Sequence, residues 1–369
     1  MKLCNRCIMP NKPPISYLDD HGVCNYCRSH QEIKYQGEEA LIKILAEGRN
    51  QKNKYDCMVN ISGGRDSAFA LLSLVKDYHM RVLAVNYANP FTDEQAKKNI
   101  KNMVRLLGVD LVQFNLKSHI HERILRNNIR VWFKNPSAAM VPIICIGCKI
   151  IWPEILKIAR ENHVRCIVNG GNPYEYTSFK KALLGVSPSA NLKLTYLTNI
   201  IGLLRESLRN LSYLNPQYLP ITVKGYLFAN QYAMGSRLLA RKIRRIDFFH
   251  YIPWDEEKVI SRIQSELGWD YPRDLNSTWR FDCKISHLKD FMYLTTIGIT
   301  EKDDFYSKMI REGRITREKA LERIDKENRL HLKIIHEIFS ELAINDINLE
   351  ETMAGPSVNT TSVTHRAPL

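Results

Sequence analysis

The chain has 369 residues, 44% of them hydrophobic, which is enough to bury a full core and to divide into more than one domain. Its 53 basic against 39 acidic residues leave a formal charge of +14, which favours an anionic partner such as a nucleotide, a sugar phosphate, RNA or an acidic membrane surface. Nine cysteines, including three Cys-x-x-Cys pairs, argue for metal or redox chemistry in a reducing compartment and against a disulfide framework.

Residues 1 to about 35 hold few apolar side chains and the turn signals Met9-Pro10, Pro13-Pro14 and His21-Gly22, so they read as a small module held by a metal. Its pairs Cys4-x2-Cys7 and Cys24-x2-Cys27 have the spacing of a four-cysteine Zn²⁺ site. Four protein ligands leave no position for water, which makes such a metal structural; an iron–sulfur cluster also takes four thiolates, but paired knuckles favour zinc. From residue 55 strand-like and helix-length runs alternate: "YDCMVNI" then "SAFALLSLVKDYH", "RVLAVNYA" then "EQAKKNIKNMVRLLG", "VDLVQFNL" then "IHERILRNNIRVWF", and the helix "KIIWPEILKIARENH" before the strand "VRCIVNGG". That alternation predicts an α/β fold with a parallel sheet. Residues about 176 to 250 break the rhythm with basic amphipathic segments such as "RESLRNL" and "MGSRLLARKIRRI", the latter read as a solvated helix face ahead of a binding patch. After 255 the reading is helical, and from about 351 a disordered tail is expected. No stretch approaches the roughly 18 apolar residues of a membrane span, and Met1-Lys2-Leu3 runs straight into Cys4, so a cytoplasmic protein without a transmembrane segment is expected.

"VNISGGRDSAFALL" places Ser62-Gly63-Gly64-Arg65-Asp66-Ser67 between the first strand and the first helix of the sheet. It lacks the Lys-Ser/Thr ending of a Walker A loop and the Gly-x-Gly-x-x-Gly of a dinucleotide fold. Glycines bring backbone N–H groups up to an oxyanion, the helix N-terminus adds partial positive charge, and Ser62 and Ser67 add hydroxyls, so the loop reads as a phosphate cradle. A plain turn capped by Asp66 or Ser67 is the simpler alternative, but two glycines flanked by serines exceed what a cap needs.

Cys145-Ile-Gly-Cys148 precedes a helix expected near Lys149, whose dipole would lower thiol pKa values. Three readings fit: incidental buried cysteines, a metal or iron–sulfur site completed by Cys283 or Cys166, and a sulfur relay in which Cys145 and Cys148 are catalytic. Cys166, inside the apolar run "VRCIVN", reads as core. Gly170, Gly171 and Asn172 follow a strand and either flank a nucleotide or make an ordinary turn. Trp279, Arg280 and Asp282 either reach the site or pack helices, and His119 and His121 read as surface residues.

Ser-Gly-Gly-x-Asp-Ser resembles the signature of the ATP pyrophosphatase, or PP-loop, superfamily, whose members adenylate an oxygen atom and release pyrophosphate. The resemblance implies an adenine nucleotide alpha hydrolase-like domain, with Ser62, Gly63, Gly64, Arg65, Asp66 and Ser67 around the β- and γ-phosphates of ATP, Asp66 in a catalytic role, and Mg²⁺ bridging the phosphates. In order along residues 1 to about 328, "CNRCIMPNKPPISYLDDHGVCNYC", "NISGGRDSAFAL", "CIGCK", "WDEEKVISRIQSELGWDYP", "WRFDCK" and "GITEKDDFYSKMIREGRITREKALERI" are together similar to the N-acetyl sugar amidotransferase family of surface-polysaccharide (LPS, O-antigen) biosynthesis. What that similarity implies is conversion of an acetamido group on a nucleotide-linked sugar into an acetamidino group, with ammonia from a separate glutaminase and a synthase-like channel subunit, and with no nucleic acid as partner. The expected division is a Cys4 module (1–35), a PP-loop ATP-binding core (50–175), a basic insertion (176–250), a helical carboxy-terminal region (251–350) and the tail (351–369). Some tRNA-thiolating PP-loop enzymes resemble the same combination of zinc module and cysteines, and for them Cys145, Cys148 and Cys283 would hold an iron–sulfur cluster.

Overall fold

In the computed structural model, residues 2–185, 192–240 and 242–354 are described. The apolar run at Cys57–Asn60 forms β1, whose Cys57, Met58 and Val59 are fully buried, as a central strand covered on both faces must be. Val82–Tyr87 (β2), Asp110–Phe114 (β3), Cys166–Asn169 (β4) and Arg244–Asp247 (β5) complete a five-stranded sheet, all neighbours parallel, in the order β3-β2-β1-β4-β5. The α/β expectation holds for the first four strands at the positions read from sequence. β5 corrects it: "RRID" sits inside the segment read as a basic helix face, because only Ile246 and Asp247 turn inward while Arg244 stays exposed, leaving too little apolar alternation to announce a strand.

This order places a topological switch between β1 and β4, and ligands of open α/β sheets sit beyond the strand carboxyl ends at such a point. The Ser62–Ser67 loop leaves β1 there and the Gly170–Asn172 turn leaves β4 beside it. The helix Arg65–Lys76 then runs back under the sheet, burying Ala68, Leu71 and Leu72. Its amphipathic neighbours Glu94–Leu107 and Trp152–Glu161 cover the sheet in the same way.

The carboxy-terminal region is helical, as expected. The helix Ile285–Ile297 is buried on almost every side, ends at Gly298 with φ 69°, and hands over to Glu301–Arg311 through a Thr300/Asp303 capping box. Trp254, Val259 and Phe305 from this region share one hydrophobic core with β1, β4 and the helix Arg65–Lys76. The cysteine module instead shares a core with Ile285–Ile297 and the Ala138–Cys145 turn of 3₁₀ helix. Of the tail expected from 351, Glu351–Ala354 close the helix Leu349–Ala354 and the rest lies outside the described residues.

One further reading is corrected. Ala138–Glu161 is long and apolar enough by composition to cross a membrane. In the fold it is broken into Ala138–Cys145, Ile146–Lys149 and Trp152–Glu161, with Pro142 and Pro153 among them, and 56% of its most apolar window is buried. Its apolarity is spent on the core.

Candidate active site

A cavity of about 400 Å³ opens beyond the carboxyl ends of β1 and β4, and its wall includes Ser62, Gly64, Asp66, Ser67 and Gly170. Two glycines are required by close approach. Gly63 holds φ 85°, and a Cβ there would lie 2.3 Å from the Ala96 carbonyl oxygen; a Cβ on Gly170 would lie 2.6 Å from the Ser67 nitrogen. The loop closes on itself through weak bonds: Ser62 N donates to Ser67 Oγ at 3.3 Å, Gly64 N to Ser62 Oγ at 3.3 Å, and the two hydroxyls are 3.4 Å apart. Bonds at that length are readily exchanged for a phosphate oxygen, and the N-terminus of a twelve-residue helix lies directly behind them.

Asp66 is held from behind. Trp254 Nε1 donates to its Oδ1 at 2.9 Å and Asn172 Nδ2 to its Oδ2 at 3.3 Å, while burial pushes its carboxyl up to about 6. The Gly63 carbonyl accepts from Trp269 Nε1 at 2.9 Å and from Asn99 at 3.1 Å. Trp254 and Trp269 carry no signal of this role in sequence beyond their place in the "WDEEKVISRIQSELGWDYP" run.

The residues expected around the nucleotide therefore separate. Arg65 lines the cavity but lays its guanidinium 4.9 Å over the Trp254 ring and onto Glu256 and Thr278, with Nε 3.4 Å from Asp66 Oδ1, because a buried cation needs carboxylate partners. Asn172 orients Asp66 and caps Tyr174 N at 3.0 Å, and Gly171 packs against the Asp247 carboxyl; neither lines the cavity.

The carboxy-terminal region enters the same cavity. Thr92 and Cys283 form an antiparallel bridge, with Lys284 N donating to Phe91 O at 2.9 Å and Asp93 N to Asp282 O at 3.2 Å. This pairing carries Arg280, Asp282 and Cys283 to the wall, while Trp279 stays in the core, its ring 4.3 Å from that of Phe305. Lys289 and Glu175 also line the cavity, and neither carries a sequence signal beyond its charge.

Cys145, Cys148 and Cys283 meet at this wall, and Asn89 Nδ2 reaches Cys283 Sγ at 3.5 Å and Cys148 Sγ at 3.9 Å. Cys166 is buried in β4, as its apolar surroundings implied. The lowering of thiol pKa expected from the helix is reversed at Cys148, which burial pushes well up, since a four-residue helix has little dipole to set against desolvation; burial also pushes Cys283 up to about 12. His121 is likewise corrected. It is buried, 2.8 Å from the Tyr87 hydroxyl, and its ring fills the space where a side chain on Gly147 would stand, whereas His119 is exposed as expected.

In the amino-terminal module the four sulfurs lie within 4.8 Å of one another, with Cys4 to Cys27 at 3.9 Å and Cys7 to Cys24 at 3.7 Å. Metal–sulfur bonds of about 2.3 Å in a tetrahedron give sulfur separations of about 3.8 Å, so the set fits a metal ion. Arg317 donates to the Cys7 and Cys4 carbonyls at 3.1 and 3.3 Å, and Arg311 approaches Cys7 Sγ at 3.8 Å. Those arginines offset thiolate charge and lock the module onto the carboxy-terminal helices.

Residues 276–363 match the family described as LPS biosynthesis protein WbpG-like, C-terminal domain. Over 120 residues, 30% of the chain, there is 28% identity to an uncharacterized protein of Methanocaldococcus jannaschii, and the match spans 42% of that relative's length. Among solved structures, NMN synthetase from Francisella tularensis aligns over 44% of this chain and 68% of its own, at 14% identity and a TM-score of 0.28. The U34-tRNA thiolase NcsA from Methanococcus maripaludis, solved with its 4Fe–4S cluster, aligns over 97% and 93%, at 14% identity and a TM-score of 0.33. Residues 276–363, the stretch similar to the WbpG-like C-terminal domain, supply Arg280, Asp282, Cys283 and Lys289 to a cavity built on a Ser-Gly-Gly-x-Asp-Ser loop.

Proposed function

We propose that this protein is an ATP-dependent amidotransferase that converts the acetamido group of a nucleotide-linked sugar into an acetamidino group during LPS and O-antigen biosynthesis in the cytoplasm. The observation that carries the reading is the shared cavity: the phosphate-type loop after β1 and the WbpG-like domain build its wall together. In this reading the acetamido oxygen attacks the α-phosphorus of ATP, the bond to pyrophosphate breaks, and an adenylated imidate forms. Ammonia then adds to the imidate carbon and AMP leaves with the former amide oxygen. The N–H groups of the loop, the Ser62 and Ser67 hydroxyls and the helix N-terminus stabilise the charge that grows on departing pyrophosphate. Mg²⁺ offsets phosphate charge when bound, and Asp66, Asp282 and Glu175 are the carboxylates on the wall that would hold it. Zn²⁺ is the ion assigned to the four-cysteine module.

Ammonia is assigned to a glutaminase and a channel-type subunit, because no cysteine–histidine pattern of a glutaminase surrounds Cys57, which is buried in β1. The test is an assay with Mg²⁺-ATP and an acetamido nucleotide sugar, read by mass spectrometry. Amidine from ammonium but not from glutamine is expected, with glutamine use restored by the glutaminase pair. Glutamine-driven conversion by this chain alone would place a glutaminase within it.

The gathering of Cys145, Cys148 and Cys283 at the cavity favours one second reading, a tRNA-thiolating enzyme with an iron–sulfur cluster on these thiols. Among the described residues these sulfurs are not grouped closely enough for a single ion, which suits a larger inorganic group better. Iron in anaerobically purified protein, thiolated RNA as product and no amidine from any sugar would select it.

A further inference from the structure

A second side of the cavity carries fixed cations, apart from the N–H groups of the loop. Glu301, 3% exposed, gathers three of them: Lys180, Arg280 Nη1 at 2.8 Å and Lys289 Nζ at 3.0 Å. Arg280 Nη2 also reaches the Glu175 carboxylate at 3.5 Å. A fourth cation, Lys149, stands nearby with its ammonium on the Pro142 carbonyl at 2.9 Å. The carboxylates on the wall are Asp66, Glu175 and Asp282, and Asp282 is drawn toward Ser62 at the loop. The cavity lining thus matches three cations, Arg65, Arg280 and Lys289, with three carboxylates, and the Glu301 cluster concentrates two of the cations on one side of it. Lys180 registers the crowding: burial, with Lys289 and Arg280 beside it, pushes its ammonium down to about 8.

Two features indicate that the cations are held for a ligand. Arg280 has a left-handed backbone, φ 44°, which costs a residue with a side chain on the order of 1 kcal/mol, so its position is kept against a local penalty. Arg280 and Lys289 are also the two members of the Glu301 cluster that face the cavity, and both lie in the WbpG-like domain.

We infer that Arg280 and Lys289, anchored on Glu301, bind the diphosphate of a diphosphate-linked acetamido sugar, so that the enzyme selects a charged acceptor over the free sugar. The inference rests on the amidotransferase reading and narrows its substrate class. The diphosphate can come from a nucleotide or from a polyprenyl lipid, and the experiment separates the two.

Full-length protein is assayed with ATP, ammonium and three acceptors: a UDP-linked N-acetyl sugar, the same sugar on a polyprenyl diphosphate, and the free N-acetyl sugar. Arg280→Met and Lys289→Met should each raise KM for one of the diphosphate acceptors by about tenfold or more, the weight of a charge-assisted contact, and leave KM for ATP unchanged. The free sugar should be an equally poor substrate for all variants, and Arg280→Lys should recover part of the loss. Each single variant leaves Glu301 two cations, so the fold is retained, and thermal melting checks it. A parallel rise in KM for ATP would assign the cations to ATP, and an unmoved acceptor KM would remove their role; either overturns the inference. Equilibrium binding of UDP, and separately of a polyprenyl diphosphate, to protein saturated with a non-hydrolysable ATP analogue reads the wall without turnover. Binding weakened about tenfold in the variants, with no amidine from any acceptor, would keep the wall and defeat the amidotransferase reading. No binding of either probe to the unaltered protein would defeat the wall itself.

Discussion

Two sets of cysteines in this protein look alike in sequence and behave differently in space. Cys4, Cys7, Cys24 and Cys27 close on one another at tetrahedral distances, and Arg311 and Arg317 seal them against the carboxy-terminal helices. Cys145, Cys148 and Cys283 come from segments far apart in the chain, stand more widely spaced, and face a cavity shared with a phosphate-type loop. A Cys-x-x-Cys pair therefore does not state its own role; what completes its shell does. Four thiols in one knuckle pair satisfy an ion and exclude water, whereas three at a cavity wall leave a face open to a second molecule.

The comparison breaks most visibly at the closed set. Cys4→Ser or Cys24→Ser should abolish bound metal and cost stability on a scale set by structural zinc, on the order of 10 kcal/mol of coupled folding in isolated modules. Metal analysis and thermal melting check this, and a metal-free variant that melts like the unaltered protein would make the module an ordinary turn. At the open site, Ser62→Ala and Asp66→Ala should lower pyrophosphate release about 100-fold or more while melting stays close to normal. Release at the original rate in both would remove the loop from the chemistry.

A pH series sharpens the same contrast. Asp66 is raised from 3.8 to about 6 by burial, so between those values the folded state holds a proton that the unfolded chain has lost. Its contribution to stability is full at the acid end and is lost as pH rises through about 6. Denaturation curves for Asp66→Asn should therefore flatten in that window relative to the unaltered protein, and identical slopes would mean the carboxyl is solvated. Gly147→Ala would place a Cβ 2.0 Å from His121 Cδ2 and should cost about 1–3 kcal/mol by overpacking. The smallest effect is assigned to Cys148→Ser, which should leave amidine formation unchanged; its loss would move the thiols into the mechanism.

Much of this was legible before the fold. The loop announced itself because glycine and serine at those spacings serve backbone donors, which are local, and the paired cysteines because a knuckle is a four-residue object. The direction of Arg65 was not legible, since its Nη1 goes to Glu256, 191 residues away, while the residue still lines the cavity. His121 misled for a similar reason: its partners are Tyr87 and the gap above Gly147, neither of them near it in sequence.

The chain order of the first four strands, the helices between them and the knuckles was determined by the sequence alone, through hydrophobic period and turn chemistry, which act over a few residues, whereas β5 was not. The tertiary structure decided which side chains share the cavity. Parallel strands place β4 beside β1, and a short antiparallel pairing at Thr92 and Cys283 swings the carboxy-terminal domain across the sheet edge. Burial then fixes the charges, because a cation removed from water must find a carboxylate wherever the fold brings one, as Arg280 and Lys289 do at Glu301.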